Sequence, residues 1–508
     1  MPGLCCDTAA LVDTVTLVDA VTLAGAAVLA GADLIILPVT AAGDGPAPLW
    51  PAGMVPGTDR LMAALGREPR FAAGPAEVAP VIVAGTETAD LMAVGLGAPL
   101  TADSLRDAAQ AAGSAARGRG RIVFVLPAAG DEENAAAAVR AVAEGLLLGR
   151  FRPQGGDAAE DADDDTLTIA VPPALLRSPA VAAALRTGLV AAGHANRVRH
   201  LVDLPPNRLS PETLAGLIAA RAGELGIGAE IWDREAMLAR GFGATAAVGA
   251  GSARPPRVVV LSTPCPAGVR PLGLAGKGMT FDAGGLNLKQ DFESIFRMKE
   301  DMAGAAAVAG AVFAAAELGL RVPLIAVLPM AENMPSGSAQ RPGDVVSHPD
   351  GQTTEIVDTD CEGRLILADA LGWLRQRNVA ALIDVGTLTD CADVGPLLWA
   401  CWANDTALAR AVLAAGRRAG EPGWRLPLRP EYHAFLASRV AARTNTALSH
   451  PDAGLTAATF LSAFAGDTPW VHIDNGSCAY LEEDAGVWEE GPTGAPMRAL
   501  LQFLIDRA

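Results

Sequence analysis

Histidine is scarce in this chain and poorly placed for metal binding. The six histidines, at 194, 200, 348, 433, 450 and 472, form no HExxH and no other close ligand pair, which excludes an ordinary zincin centre. The seven cysteines, at 5, 6, 265, 361, 391, 401 and 478, contain no CxxC and no even framework, so reduced thiols in a cytoplasmic setting are expected. Cys5 and Cys6 form the one cluster and read as ordinary thiols. Positive charge is also short: 39 Lys and Arg against 57 Asp and Glu give a net charge of -18. A field of that sign repels phosphates and argues against a nucleic-acid or anionic-membrane partner. Long apolar runs are missing. The N-terminal apolar stretch lacks a basic flank and is broken by Asp13, Asp19 and Asp33, and its uncharged run, 20–32, is too short to span a bilayer. No internal repeat or nucleotide-binding fingerprint stands out.

What the chain has is length and apolar material. At 508 residues with 51% hydrophobic content, more than one domain is expected, and we count two. In the front third, strands are expected at 34–39, 80–84 and 121–126 and a helix at 132–148, which is α/β organisation. The Gly-rich then acidic stretch 154–165 reads as a solvated surface loop. An Ala-rich helical pattern from 179 to 200 ends at Pro205-Pro206, and Ser210-Pro211 starts another helix. Residues 1–175 are therefore expected as an N-terminal α/β domain and 176–508 as a larger domain, with 176–200 as linker helix. Beyond the link, strands at 257–261, 322–328 and 381–385 alternate with helices at 302–318 and 365–376, and Leu367, Ala370, Leu371 and Leu374 give the last helix its apolar stripe. This alternation predicts a largely parallel central sheet flanked by helices, with sites at strand ends.

The chemistry concentrates between residues 276 and 362. GKGMTFDAGGLNLK (276–289) is a Gly-rich turn with two lysines and one aspartate, MKEDMAGAAAV (298–308) opens an Ala-rich helix, and DTDCEGRLILADAL (358–371) sets Asp360 and Glu362 two residues apart. On an extended segment that spacing points both carboxylates the same way. Buried carboxylates need balancing charge, and two divalent cations sharing bridging carboxylates supply it while polarising a carbonyl and activating a water. Lys277 can join such a site only as the neutral amine. An oxygen-rich donor set with one amine suits Mn²⁺ or Zn²⁺, and also Mg²⁺ or Co²⁺.

These three blocks resemble the signature blocks of the leucyl aminopeptidase family. The resemblance continues through ENMPSG (332–337), RPGDV (341–345), GTLT (386–389) and GDTPW (466–470), and reaches weakly into the front part at AEGLLLG (143–149). It implies that Lys277, Asp282, Asp301 and Glu362 hold one metal and that Asp282, Asp360 and Glu362 hold a more exchangeable one. By the same resemblance, Lys289 stabilises the developing oxyanion and Arg364 holds a bicarbonate that shuttles protons, roles that suit a fixed cation and a guanidinium fork. The substrate's first side chain is then expected among Met298, Asn333, Thr387, Asp390, Gly476 and Ala479. Asp390 stands where relatives carry glycine, and Gly476 and Ala479 where they carry larger or more apolar residues. A roomier, acidic pocket favouring basic or polar first residues follows. Two further departures are one extra residue between Lys289 and Asp301 and Cys361 in place of alanine.

Taken singly, Asp282 can cap a turn, Asp301 a helix, and Glu362 with Arg364 can form a surface pair. Their joint arrival in the family's order argues for catalysis. The resemblance therefore implies a two-domain α/β metalloaminopeptidase that removes N-terminal residues from short peptides, cytoplasmic and assembled as a homohexamer. One alternative is a specialised dipeptidase or amidase in a biosynthetic or detoxification pathway. A DNA-binding accessory role, known among some relatives, fits poorly with the acidic balance, and a metal-dead homologue is disfavoured because every ligand is present.

Overall fold

A computed structural model of the chain describes residues 15–19, 32–42, 45–50, 55–84, 89–127, 130–152, 166–389, 394–449 and 453–508. Backbone contacts divide it into two compact units, Met1–Asn196 with Gly486–Trp488, and Arg197–Ala485 with Glu489–Ala508. The expected stretch 154–165 lies outside the described residues, as does Asp390.

The first unit is built on strands β1 (Val15–Asp19), β2 (Leu34–Ala42), β3 (Gly45–Pro48), β4 (Val78–Ala84), β5 (Asp90–Gly95), β6 (Ile122–Val125) and β7 (Leu167–Val171). They form a sheet in the order β1-β7-β6-β2-β5-β4, with β3 on the side of β2. All pairings are parallel except β3 on β2 and β4 on β5. The run Leu34, Ile35, Ile36, Leu37 in the central β2 is fully buried, as a strand covered on both faces requires. Helices α1 (Thr58–Leu65), α2 (Ala102–Ala115) and α3 (Glu132–Gly149) accompany the sheet.

Helix α4 (Pro179–Asp203) runs across the division between the units. Its residues up to Asn196 belong to the first unit, where the Asn196 amide donates to the Leu147 carbonyl at 2.9 Å. From Arg197 onward it belongs to the second, where Arg199 Nε donates to the Pro492 carbonyl at 2.7 Å. Helix α5 (Pro211–Glu224) follows, with Ser210 Oγ accepting from the Thr213 N–H and proline in its first turn.

The second unit holds β8 (Gly228–Trp232), β9 (Arg257–Ser262), β10 (Leu272–Gly276), β11 (Gly278–Asp282), β12 (Leu324–Asn333), β13 (Val345–Ser347), β14 (Thr353–Glu355), β15 (Ala381–Gly386), β16 (Trp399–Ala403), β17 (Gly423–Arg425), β18 (Arg443–Thr444) and β19 (Trp470–Asp474). Its main sheet runs β17-β16-β19-β15-β10-β12-β9-β8, with β11 also on β12, while β13, β14 and β18 make a small separate sheet. The middle strands β19, β15, β10 and β12 are mutually parallel, and antiparallel pairs stand toward the edges. Helices α6 (Phe292–Arg297), α7 (Ala303–Glu317), α8 (Glu362–Arg375), α9 (Thr406–Ala419), α10 (Ala453–Ala465) and α11 (Met497–Ile505) are among its helices. Small side chains let α7 sink fully, and every residue from Ala303 to Ala315 is buried. On α8 the stripe Leu367, Ala370, Leu371 and Leu374 joins a core that includes Phe460, Phe464 and Trp470. The fold is α/β in two domains, and its larger sheet is parallel at the centre.

Parallel middle strands bring their C-terminal ends to one edge, the usual position for a site in such sheets. The register is specific: Gly276 pairs with Val385 and Gly386 with Asp474, while Asp282 pairs with Asn333. The residues just past these ends build the site.

Candidate metal centre and active site

Lys277 is the single residue between β10 and β11, so it is fixed by the sheet on both sides. Its N–H donates to the Val385 carbonyl at 2.9 Å. The side chain passes over the start of α8, where a Cβ on Gly363 would lie 2.5 Å from Lys277 Cε; only glycine leaves that path open. The ammonium ends 2.7 Å from Asp301 Oδ1, 2.9 Å from Glu362 Oε1 and 2.7 Å from the Thr387 carbonyl.

Asp282 closes β11, and Asn333 at the end of β12 donates to its Oδ1 at 2.8 Å. The Gly284 N–H donates to the same oxygen at 2.9 Å. Asp301 stands in the turn before α7, with Thr387 Oγ1 donating to its Oδ1 at 2.6 Å. Asp360 and Glu362 meet the others in a way the sequence did not predict. They do not share an extended segment: the Asp360 N–H bonds Asp358 Oδ1 in a local turn, and Glu362 opens α8. Turn chemistry overrides the extended reading because the aspartate side chain competes for the backbone.

Asp282, Asp360 and Glu362 each place one oxygen within 4.8 Å of the others. Lys289 reaches across them, 2.6 Å from Asp360 Oδ1 and 2.9 Å from Asp282 Oδ2. Lys277, Asp282, Asp301 and Glu362 are all at most 3% exposed. Four carboxylates thus face two lysines. Burial, with Asp282 and Glu362 beside it, pushes Asp360 up to about 7 against the pull of Lys289. Burial likewise raises Asp301 and Glu362 above the ordinary carboxylate range, with their acidic neighbours adding to it. For Lys277, burial favours the neutral amine, but Asp301, Glu362 and Asp282 outweigh it and hold the proton on. The neutral amine expected from the sequence therefore needs the field of a bound cation.

The donor set fits divalent ions. Among the described residues Asp301 Oδ2 is buried with no hydrogen-bond partner, and Glu362 Oε1 is near enough to Lys277 for an ion pair but misaligned for a hydrogen bond. Buried acceptors left without donors are what a cation would satisfy.

These groups open into a cavity of about 540 Å³. Of the residues expected around a substrate side chain, Met298, Thr387 and Gly476 line it. Asn333 and Ala479 are not among its lining residues: Asn333 lies beneath, holding Asp282, and Ala479 is buried with its N–H on the Asn475 carbonyl at 2.8 Å. Gly476 does not mark spare room, since a Cβ there would lie 1.8 Å from the Thr389 carbonyl oxygen. Arg364 is buried outside the lining, donating to the Asn445 carbonyl at 3.2 Å and Thr456 Oγ1 at 3.4 Å. The segment after Lys289, where the extra residue was expected, folds as α6, with Asp291 Oδ1 accepting from the Ser294 N–H at its start. Cys361 is largely enclosed, and burial raises its thiol.

Three contributors carry no mark in the sequence blocks strong enough to single them out. Asp474, at the end of β19, accepts from the Leu388 N–H, Thr389 Oγ1 and the Gly476 N–H, tying together two cavity walls. Thr359 Oγ1 donates to the Gly284 carbonyl and accepts from the Asn287 N–H, pinning the Gly-rich turn to the Asp360 turn. Glu300 lines the cavity, and burial pushes it up to about 8. Its place beside Asp301 in the second block was the available signal.

With this geometry in hand, comparison with known proteins is decisive. A family model described as the cytosol aminopeptidase family, catalytic domain, matches residues 196–501, and its N-terminal companion matches 58–155. This chain belongs to the cytosol aminopeptidase family. It is a leucyl aminopeptidase-type metalloaminopeptidase, a hydrolase of peptide bonds. A probable cytosol aminopeptidase of Solibacter usitatus is 40% identical over 371 residues, 72% of this chain and 76% of that protein. One from Streptomyces coelicolor is 40% identical over 437 residues, 81% of this chain and 83% of the relative. Among solved structures, the bottromycin maturation enzyme BotP superposes with a TM-score of 0.80 at 35% identity, covering 94% of this chain and 99% of BotP. Its complex with Mn gives 0.79 at 34% identity over 94% of this chain. Among the described residues no helix is long and apolar enough to cross a membrane.

Proposed function

We propose that this aminopeptidase removes the N-terminal residue of short peptides at a two-metal centre in the 540 Å³ cavity. The observation that carries the reading is the surplus of buried carboxylates over lysines, with Asp301 Oδ2 and Glu362 Oε1 left without a hydrogen-bond partner among the described residues. Lys277, Asp282, Asp301 and Glu362 would hold one ion, and Asp282, Asp360 and Glu362 the other. Divalent ions there supply Lewis acidity for the scissile carbonyl and acidify a water near neutral pH. The chain's own residues do the rest. Asn333 and the Gly284 N–H fix Asp282, Thr387 fixes Asp301, and Lys289, beside Asp282 and Asp360, would face charge developing on the substrate oxygen when those carboxylates hold cations. Arg364 would hold a bicarbonate.

Mn²⁺ or Zn²⁺ are the proposed ions, with Mg²⁺ or Co²⁺ as alternatives, and BotP's complex with Mn favours the first. The division into 1–175 and 176–508, the cytoplasmic location and the homohexamer are carried in the same proposal. Light scattering that gives about six chains upholds the hexamer, and a fully active monomer rejects it. A second reading, a specialised amidase in a biosynthetic pathway on the same metals, is favoured by the likeness to a bottromycin maturation enzyme. One experiment separates them: aminoacyl-p-nitroanilides, dipeptides and longer modified peptides assayed after reconstitution with Mn²⁺, Zn²⁺ and Co²⁺. Broad turnover of simple dipeptides supports the first reading. Turnover confined to a modified peptide supports the second, and none with any metal rejects both.

A further inference from the structure

The cavity wall carries charge that the reaction above does not use. Apart from the proposed ligands and Lys289, its lining includes three acids, Glu300, Glu482 and Glu483, and one cation, Arg297. Arg297 is paired with Glu482. Glu300 Oε2 is buried without a hydrogen-bond partner among the described residues. The residue itself is only partly buried and lines the cavity, and a carboxylate oxygen held there without a partner is costly to keep.

The basic groups within reach along the chain are all committed. Lys277 is held by Asp301, Glu362 and Thr387, and Lys289 by Asp282 and Asp360. Lys299, the residue before Glu300, turns to Asp203 at 2.7 Å. The partner Glu300 lacks must therefore arrive with the ligand.

We propose that Glu300 selects substrates whose N-terminal residue carries a cationic side chain, arginine or lysine. This rests on the aminopeptidase reading and names its substrate class. Met298, two residues before Glu300, lines the same cavity and offers its flexible thioether to the methylene stem, as Lys and Arg side chains require of a wall that meets their charge at the tip. A guanidinium presents two parallel N–H groups to a carboxylate and an ammonium one rotating head, so both fit and arginine fits better. Leucine leaves Glu300 without a partner and is disfavoured for that reason. The selection needs no contribution from Asp390.

The test compares metal-reconstituted wild type with Glu300→Gln on Arg-, Lys-, Leu- and Met-p-nitroanilide. The Arg-to-Leu ratio of kcat/KM is expected to fall roughly 10- to 100-fold, the scale of one charge-assisted hydrogen bond lost. A ratio that does not move overturns the role. If Glu300→Gln does not fold, Glu300→Met removes the buried charge at similar length and reads the same ratio: a fall upholds the role and no change overturns it. If the wild type cleaves none of the anilides, the aminopeptidase reading fails by itself. Calorimetric titration of L-arginine and L-leucine hydroxamates into the metal-loaded protein then decides: tighter arginine binding that is lost in the variant upholds the selection, and equal binding overturns it.

Discussion

Helix α8 buries two carboxylates seven residues apart, on the same face two turns from each other, and treats them in opposite ways. Asp369 is sealed. Its Oδ2 accepts from both the N–H and the hydroxyl of Thr245 at 2.8 Å, its Oδ1 lies 2.7 Å from His348 Nδ1, and His348 Nε2 is 2.8 Å from Thr354 Oγ1. Glu362 is open. It shares its surroundings with Asp282 and Asp360, and its nearest cation is misaligned for a hydrogen bond. Burial raises both acids above the ordinary range, so depth alone does not separate them. What separates them is whether the protein itself completes the coordination. A buried acid whose partners are all present is a joint, and one whose partners are missing is a receptor.

The contrast can be broken at either end. Glu362→Gln, or Asp282→Asn at the other proposed bridge, should cut kcat/KM by more than ~10³-fold while the ion-free protein holds or gains thermal stability, because an uncompensated buried charge is gone. Near-normal turnover at full metal loading would remove the two-metal reading. Asp369→Ala should do the reverse, costing about 3 kcal/mol in denaturant titration while the folded enzyme keeps its kcat. Loss of activity without loss of stability there would erase the distinction. Lys289→Ala is expected to leave metal content nearly intact and lower kcat by about 10²-fold, and an unchanged kcat would take the lysine out of the reaction.

The smallest effect is a slope. An acid whose folded-state value is raised binds its proton more tightly when folded, so its contribution is best below the unfolded value near 3.8 and is lost as pH climbs toward the folded value. For Asp360 that value is about 7, so the ion-free wild type should lose stability relative to Asp360→Asn between pH 4 and 7. Metal loading should reverse the sign. Melting temperatures of both proteins, with and without Mn²⁺, measure it, and parallel curves throughout would show that Asp360 has no open coordination.

Most of the site was legible because its donors cluster in three short blocks whose residue types suit one chemistry. Lys277, Asp282, Lys289, Asp301, Asp360 and Glu362 converge as those blocks implied. The strands at 34–39 and 381–385 and the helix at 132–148 were readable from apolar runs and Ala-rich periodicity, and each lies within an observed element. Boundaries set by local side-chain chemistry were not. The Asp358 turn moves the start of α8 back to Glu362 and replaces the extended pairing with a turn-to-helix junction. Small residues misled for a related reason: Gly476 answers to the Thr389 backbone, a contact between segments far apart in sequence that no local pattern announces. The role proposed for Glu300 rests on an oxygen without a hydrogen-bond partner among the described residues, which only three dimensions reveal.

Lys277 sits between two strands of the sheet, with β10 at its middle, whereas Glu300, Glu482 and Glu483 stand on the turns around the cavity. A change to the lysine's setting disturbs the whole scaffold, while a change to the turns disturbs little else. With the selection proposed for Glu300, the enzyme would have a fixed engine and an exchangeable inlet: point substitution at the rim would retune which peptides it consumes without reinventing how it cuts them.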